Sequence, residues 1–267
     1  IVARGSGSSL AGSAVSAGLV VDTTKHLREI VRVDPEARTA TVQPGVVLDD
    51  LNKAAAVHGL TFGPDPASSN RATLGGMLGT NATGTHSIQY GAVVDWVESA
   101  RVLLADGYRL EPMSEAPEVD RGPGRSWDGT RNLAHLLAGS EGTLAFATEI
   151  TVGLTERPAH AALGVVHFPS RATALEAVEG ILETGPTAVE LFDRIALERA
   201  LDVTEYAPKL HFVQRGVQQV CSRMVATNGL ARVGLHRGDH VGIWVRWQFA
   251  DDVHRQVVFL DGIGNVD

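Results

Sequence analysis

A single cysteine, Cys221, is all that this chain of 267 residues contains. Neither a disulfide framework nor a Cys-rich metal or iron–sulfur site can be assembled from it. Clusters of lysine and arginine are also missing. With 23 basic against 31 acidic residues the formal charge is -8, which argues against nucleic acid as a partner, since phosphate backbones are held by grouped cations. No apolar run reaches the length of about 18 residues that a transmembrane helix needs. The expected location is therefore the cytoplasm, with peripheral placement at the inner membrane as the alternative. Ile1-Val2-Ala3 reads as a strand that enters a loop without a methionine, basic leader or signal segment before it, so the chain is expected to start within a domain. The hydrophobic share of 44% suffices for a sizeable core in one or two domains.

What is present begins directly after that strand. Arg4-Gly5-Ser6-Gly7-Ser8-Ser9-Leu10-Ala11-Gly12 is a loop so rich in glycine and serine that its backbone amides can face one anion. Neither standard nucleotide motif fits. Leu10 stands where a Rossmann fingerprint needs glycine, and no Gly-Lys-Ser/Thr occurs. Taken alone, the loop is equally an ordinary surface turn. Further along come Gly63-Pro64-Asp65-Pro66, Ala72-Thr73-Leu74-Gly75-Gly76-Met77, Thr80-Asn81-Ala82-Thr83-Gly84-Thr85-His86-Ser87 and Tyr90-Gly91. Leu103-Leu104-Ala105-Asp106-Gly107 and Gly139-Ser140-Glu141-Gly142-Thr143-Leu144 follow. Glycines at 75, 76 and 84 remove side chains where backbone must approach a flat ring or a diphosphate. Pro64 and Pro66 stiffen the segment around Asp65, which otherwise reads as a rigid connector. Thr148 to Val152 alternates as a strand does.

In this order and spacing, these segments resemble the FAD-binding domain of the vanillyl-alcohol oxidase type, also called PCMH-type, over residues 1 to 213. Around Asn81 to Ser87 the wording is most similar to bacterial proteins that join an FAD domain, a cap domain and an iron–sulfur domain, akin to D-lactate and other D-2-hydroxyacid dehydrogenases. The resemblance implies an α+β fold, with two α+β subdomains in the FAD domain and an α+β cap. It implies FAD contacts at Arg4, Gly5, Ser6, Gly7, Ser8, Ser9, Gly12, Pro64, Asp65, Thr73, Gly75, Gly76, Asn81, Ala82, Gly84, His86, Ser87, Tyr90 and Gly91. In the closing loop and the strand after it, it implies Gly139, Glu141, Gly142, Thr143, Leu144 and Ile150. His86 is also readable as a structural hydrogen-bonder. Some relatives link FAD covalently through a histidine where Ser8 stands here, so the implied FAD is dissociable. A D-2-hydroxyacid such as D-lactate would be oxidised to the 2-oxoacid. A different alcohol or sugar lactone, or an inactive FAD-binding fragment, is the alternative. A 4Fe-4S cluster belongs, by the same resemblance, to the intact protein and not to this chain. No residue identifies the catalytic base, a substrate arginine, a metal ligand or the electron acceptor.

The chain divides by pattern into residues 1–153, an FAD domain without its first strands; 154–213, the start of a cap; and 214–267, an unmatched tail. In the first, strands are expected at Gly18 to Asp22, in a hairpin of Glu29 to Val33 with Arg38 to Val42, and over Trp96 to Leu104. A helix is expected over the spacing of Val47, Leu48, Leu51, Ala54 and Ala55 with Gly59 following as its C-terminal cap, a short one over Leu133 to Leu137, and an irregular loop over Ser114 to Thr130. The second reads β-α-β, with Leu163 to Phe168, Arg171 to Glu183 and Ala188 to Phe192, and Glu190 and Asp193 form a solvated strand end. In the third neither helix nor strand periodicity is visible, which points to a shifted reading frame or chimeric end, or else to a divergent module. His236 and His240 have helical i, i+4 zinc spacing, but Gly238 lies between them and no third ligand is spaced to join them, so they read as exposed histidines. His254, Trp244 and Trp247 lie in the same tail.

Overall fold

The computed structural model of the chain describes residues 1–110, 132–168, 170–192, 195 and 241–249. Two units divide it, Ile1–Ala161 with Gln248–Asp267, and Ala162–Trp247. The expected irregular loop over 114–130 and the residues Asp193, Cys221, His236, His240 and His254 lie outside the described residues.

The first unit opens with β1 (Val2–Arg4), which pairs in parallel with β2 (Val20–Asp22). The expected hairpin follows as β3 (Ile30–Asp34) and β4 (Thr39–Val42). Its turn is tied by the Asp34 carboxylate, which accepts from the N–H groups of Glu36 and Ala37. Helix α1 (Leu48–Ala56) then buries Leu48, Leu51 and Ala55 at the three-to-four residue spacing of one helical face. Asp49 and Asp50 in its first turn and Lys53 in its last complement the helix dipole. The chain returns through β5 (Leu60–Thr61), where Asn52 Oδ1 accepts from Phe62 N–H (2.9 Å) and Thr61 Oγ1 (3.1 Å).

Beyond it lie α2 (Leu74–Thr80), the single turn α3 (Ser87–Tyr90), β6 (Val97–Leu103), β7 (Arg109–Leu110), β8 (Phe146–Gly153) and β9 (Thr155–Glu156). A 3-10 turn at Leu133–Leu137 precedes β8, as the sequence leads one to expect. Five strands form an antiparallel sheet in the order β3-β4-β8-β6-β7. Its register aligns Val42 with Ile150 and Ile150 with Ala100, and next to them Ala40 with Val152 and Val152 with Val97. All six side chains are buried with those of α1 and α2. A period-two strand pattern thus meets a helical stripe, the arrangement by which an α+β unit encloses one core.

The second unit contains most of β10 (His160–Phe168), α4 (Arg171–Leu182), β11 (Ala188–Phe192) and most of β12 (Val241–Phe249), with strand order β10-β12-β11. Ser170 caps α4 by accepting from Thr173 N–H, and Ala174 and Ile181 are buried together with Phe168. Strand β12 corrects the reading of the tail as free of strand pattern. It pairs antiparallel with β11, from Ala188 opposite Arg246 to Phe192 opposite Gly242. Ile243, Val245, Trp247 and Phe249 alternate with less apolar neighbours, a strand signal that the surrounding glycines and charges obscured. The β-α-β of the sequence is therefore a split one, with its two strands separated by a segment from far along the chain.

Removal of the side chain of Leu51, which is fully buried, is expected to cost about 2–5 kcal/mol. In urea denaturation Leu51→Ala then shows a lower midpoint at an unchanged slope.

Candidate flavin site

Strand β1 delivers the Gly/Ser loop, and a small network at the end of β2 fixes where that loop begins. Buried Thr23 donates to Arg4 O through both its N–H (3.0 Å) and its Oγ1 (3.1 Å). The Asp22 carboxylate accepts from Thr24 Oγ1 at 2.6 Å and Thr24 N–H at 2.9 Å, and lies 4.0 Å from the Arg4 guanidinium. The Thr24 hydroxyl first, then its N–H, then the charges of Arg4 and Lys25 hold the Asp22 carboxyl below its ordinary range.

At Gly5 the loop touches the start of α2 so closely that a Cβ there would overlap the Thr73 hydroxyl. Thr73 is the N-cap of α2 and accepts from Gly76 N–H. Ser6, Gly7 and Ser8 follow with N–H groups that have no hydrogen-bond acceptor among the described residues. Ser9 Oγ lies 3.1 Å from Ser13 Oγ, and Gly12 N–H donates to Ser9 O.

The other end of α2 carries the second glycine-rich segment. Asn81 terminates the helix in the left-handed conformation (φ 46°) and accepts Val94 N–H on Oδ1 (2.9 Å). Gly139 N–H donates to Leu78 O and Glu141 N–H to Gly79 O, which satisfies carbonyls left open at the helix C-terminus. Ser13 Oγ donates to Glu141 Oε2 at 2.7 Å, so the first loop and the 139–144 loop are joined directly. Gly142 has a positive φ, Thr143 Oγ1 donates to Ser140 O, and Leu144 is exposed.

A third group gathers beside these. Asp65 accepts His86 N–H on Oδ1 (3.1 Å), and its Oδ2 is hydrogen-bonded to the ring Nδ1. Gly84 sits against Asp65 so tightly that a Cβ would overlap the Asp65 main chain. Ser87 N–H donates to Gly84 O, Ala82 N–H to Met77 O, and Trp96 Nε1 donates to Tyr90 O. The rings of His86, Tyr90, Trp96 and Phe62 form a stepped row with centroids 5.9–6.3 Å apart. Gly75 lies against Pro44, Gly76 is exposed, Pro64 is buried and Gly91 (φ 64°) leaves room for the Asp95 carboxylate.

Of the residues that the sequence nominates, those of the first loop, Thr73, Asn81 and the 139–144 loop therefore converge on the two ends of α2. Ile150 stands apart, since its side chain is fully committed to the core in β8. Ser13, Asp22, Thr23 and Thr24 escaped the sequence reading. Asp22-Thr23-Thr24 had a local cue in the side-chain-to-backbone turn that Asp favours, whereas nothing in the sequence links Ser13 to Glu141. The donor set suits a diphosphate: free N–H groups, serine hydroxyls and one half-exposed guanidinium, Arg4. At Gly5 and Gly84 the space of a Cβ is filled by Thr73 and Asp65, so these glycines let the loops close onto the fold, and for Gly84 this corrects the expected approach of backbone to a ligand. These residues fit FAD. No helix among the described residues is long and apolar enough to cross a membrane.

Comparison with known proteins agrees with this geometry. The family described as FAD binding domain matches residues 1–111. The D-2-hydroxyglutarate dehydrogenase of Pseudomonas putida is 30% identical, aligning over 77% of this chain and 25% of its own length. The D-lactate dehydrogenase of Archaeoglobus fulgidus is 35% identical over 73% of this chain and 42% of its own. The glycolate oxidase subunit GlcD of Bacillus subtilis is 34% identical over 78% and 42%. The chain thus spans between a quarter and about two fifths of the length of these curated relatives. Two solved structures of alkyldihydroxyacetonephosphate synthase, 22% and 23% identical, share the fold with TM-scores of 0.68 and 0.69 over 93% of this chain and 42% of theirs.

Because the folded-state pKa of Asp22 is lowered, its contribution to loop anchoring is complete above its unfolded value and is lost as pH falls through the folded one. Thr24→Val removes the largest cause, and the Asp22 carboxyl titration followed by NMR is expected to move up toward the ordinary value.

Proposed function

We propose, from the premise that this chain belongs through residues 1–111 to the FAD binding domain family, that it binds FAD non-covalently as part of an oxidoreductase acting on a 2-hydroxyacid. The observation that carries the reading is the convergence of two glycine-rich loops on the ends of α2, joined through Ser13 and Glu141. The N–H groups of Ser6, Gly7 and Ser8, with Arg4, would hold the diphosphate, while the 63–66 and 82–87 segments and the 139–144 loop would border the rest of the dinucleotide. FAD supplies the hydride acceptor for the carbon that bears the hydroxyl. The chain's own part is to orient the dinucleotide. Ser8 offers no imidazole for a histidyl link, so the cofactor is dissociable.

The substrate class follows the relatives named D-2-hydroxyglutarate dehydrogenase, D-lactate dehydrogenase and glycolate oxidase subunit, all of which act on 2-hydroxyacids by name. D-Lactate itself is the finer proposal. The FAD domain does not select among these acids, because specificity resides in the groups that meet the substrate. Anaerobic addition of D-lactate, D-2-hydroxyglutarate and glycolate to the full-length gene product tests this. Bleaching of the flavin by one of them supports the reading, and bleaching only by an unrelated alcohol or sugar lactone overturns it.

Two results are expected from the purified chain. Added FAD is quenched on binding and is recovered entirely in the supernatant after acid precipitation. Gly5→Val, whose side chain would collide with Thr73, weakens FAD binding about tenfold or more.

A further inference from the structure

One carboxylate in the first unit is used in an unusual way. Both oxygens of Asp65 serve a single residue 21 positions further on, Oδ1 taking the His86 main-chain N–H and Oδ2 the ring Nδ1. His86 is only 4% exposed. A carboxylate placed so fixes both the ring orientation and its Nδ1–H tautomer. The proline on either side of Asp65 deprives its segment of backbone freedom, and the missing Cβ at Gly84 lets the facing turn close onto it. On the far side His86 meets Tyr90, whose carbonyl is held by the Trp96 indole N–H. The pair is thus a pin between a stiff strand-like segment and a turn with two glycines nearby. Buried polar pairs of this kind add little net stability over an apolar substitute, so fixing one conformation is the better account of the pin.

We propose that Asp65 is a positioning residue of the flavin site, acting through His86 to hold the 84–87 turn in its FAD-binding conformation. This rests on the reading of the chain as an FAD binder. Asp65 need not touch the flavin. Asp65→Asn separates geometry from charge: its Oδ1 still accepts His86 N–H, while its amide donates to Nδ1 and switches the ring to the Nε2–H tautomer. Asp65→Ala removes both links.

The experiment is fluorescence titration of the purified chain with FAD, alongside 1H–15N spectra of the histidine rings. Leu51→Ala serves as a control that lowers stability in the core without touching the loops. Asp65→Ala is expected to raise the FAD dissociation constant about tenfold or more, the loss appropriate to a charge-assisted hydrogen bond. Asp65→Asn is expected to remain within about threefold of the parent with the His86 ring tautomer switched, and Leu51→Ala to leave the constant unchanged. An unchanged constant in Asp65→Ala, or an equal loss in Leu51→Ala, overturns the proposal while the FAD reading stands. Failure of the unsubstituted chain to bind FAD overturns both and is seen in that arm alone. Should Asp65→Ala not fold, Asp65→Glu decides: its extra methylene keeps the charge but displaces the turn, and unimpaired binding by it overturns the proposal.

Discussion

Helix α2 is seven residues long, and its two ends are where the candidate site is assembled. A helix of this length cannot satisfy its own termini, because the first N–H groups and last carbonyls have no partners within it. Here the shortfall is met by tertiary structure. Thr73 caps the start, Asn81 turns the chain at the finish, and the 139–144 loop donates Gly139 and Glu141 N–H to the last carbonyls. With glycine at 75, 76 and 79 the helix is intrinsically poor, each glycine costing about 1 kcal/mol relative to alanine. It persists because Leu74, Met77 and Leu78 are buried in the common core. The loops and the helix are therefore mutually dependent: the helix places the loops, and one of the loops completes the helix.

That dependence explains why the glycines cluster where they do. At Gly5 and Gly84 the issue is space, since Thr73 on one side and the Asp65 main chain on the other occupy the volume of a Cβ. A side chain at either position would push a loop away from the helix or from the Asp65–His86 pair. The sheet beneath has the opposite character. Val42, Ile150 and Val152 are β-branched and buried, with Val42 opposite Ile150 and Val152 opposite Val97, and they supply a rigid platform against which such close approaches are reproducible. Soft chemistry on a stiff support is the general condition for a preorganised binding site.

Much of this was legible in the sequence. The hairpin at 29–42, the helix after Pro44-Gly45 and the strands at 97–103 and 146–153 follow from alternation and helical spacing, because their burial is one-sided and leaves a periodic trace. Helix α2 left no such trace: Leu-Gly-Gly-Met-Leu-Gly-Thr reads as a loop by propensity, and only burial makes it a helix. Strand β12 has a readable alternation, Ile243 to Phe249, that the glycines and charges of the neighbouring sequence obscure. Its position between β10 and β11 could not be read at all, since strand order is set by long-range pairing that local pattern does not encode. The Ser13–Glu141 and Asp65–His86 links were equally silent, for each joins residues whose separation in sequence carries no information about distance.

By itself, the sequence determined the chemical inventory: glycines and serines for a diphosphate, no second cysteine, no histidine at position 8, and the periodicities of most strands and helices. These are properties of residues and of their near neighbours, and local stereochemistry suffices to express them. Tertiary structure alone decided that α2 exists, that two distant loops meet at its ends, and that Asp65 grips His86. Those outcomes depend on which buried surfaces come together, and the free energy of burial is gained only when segments far apart in the chain are brought into contact.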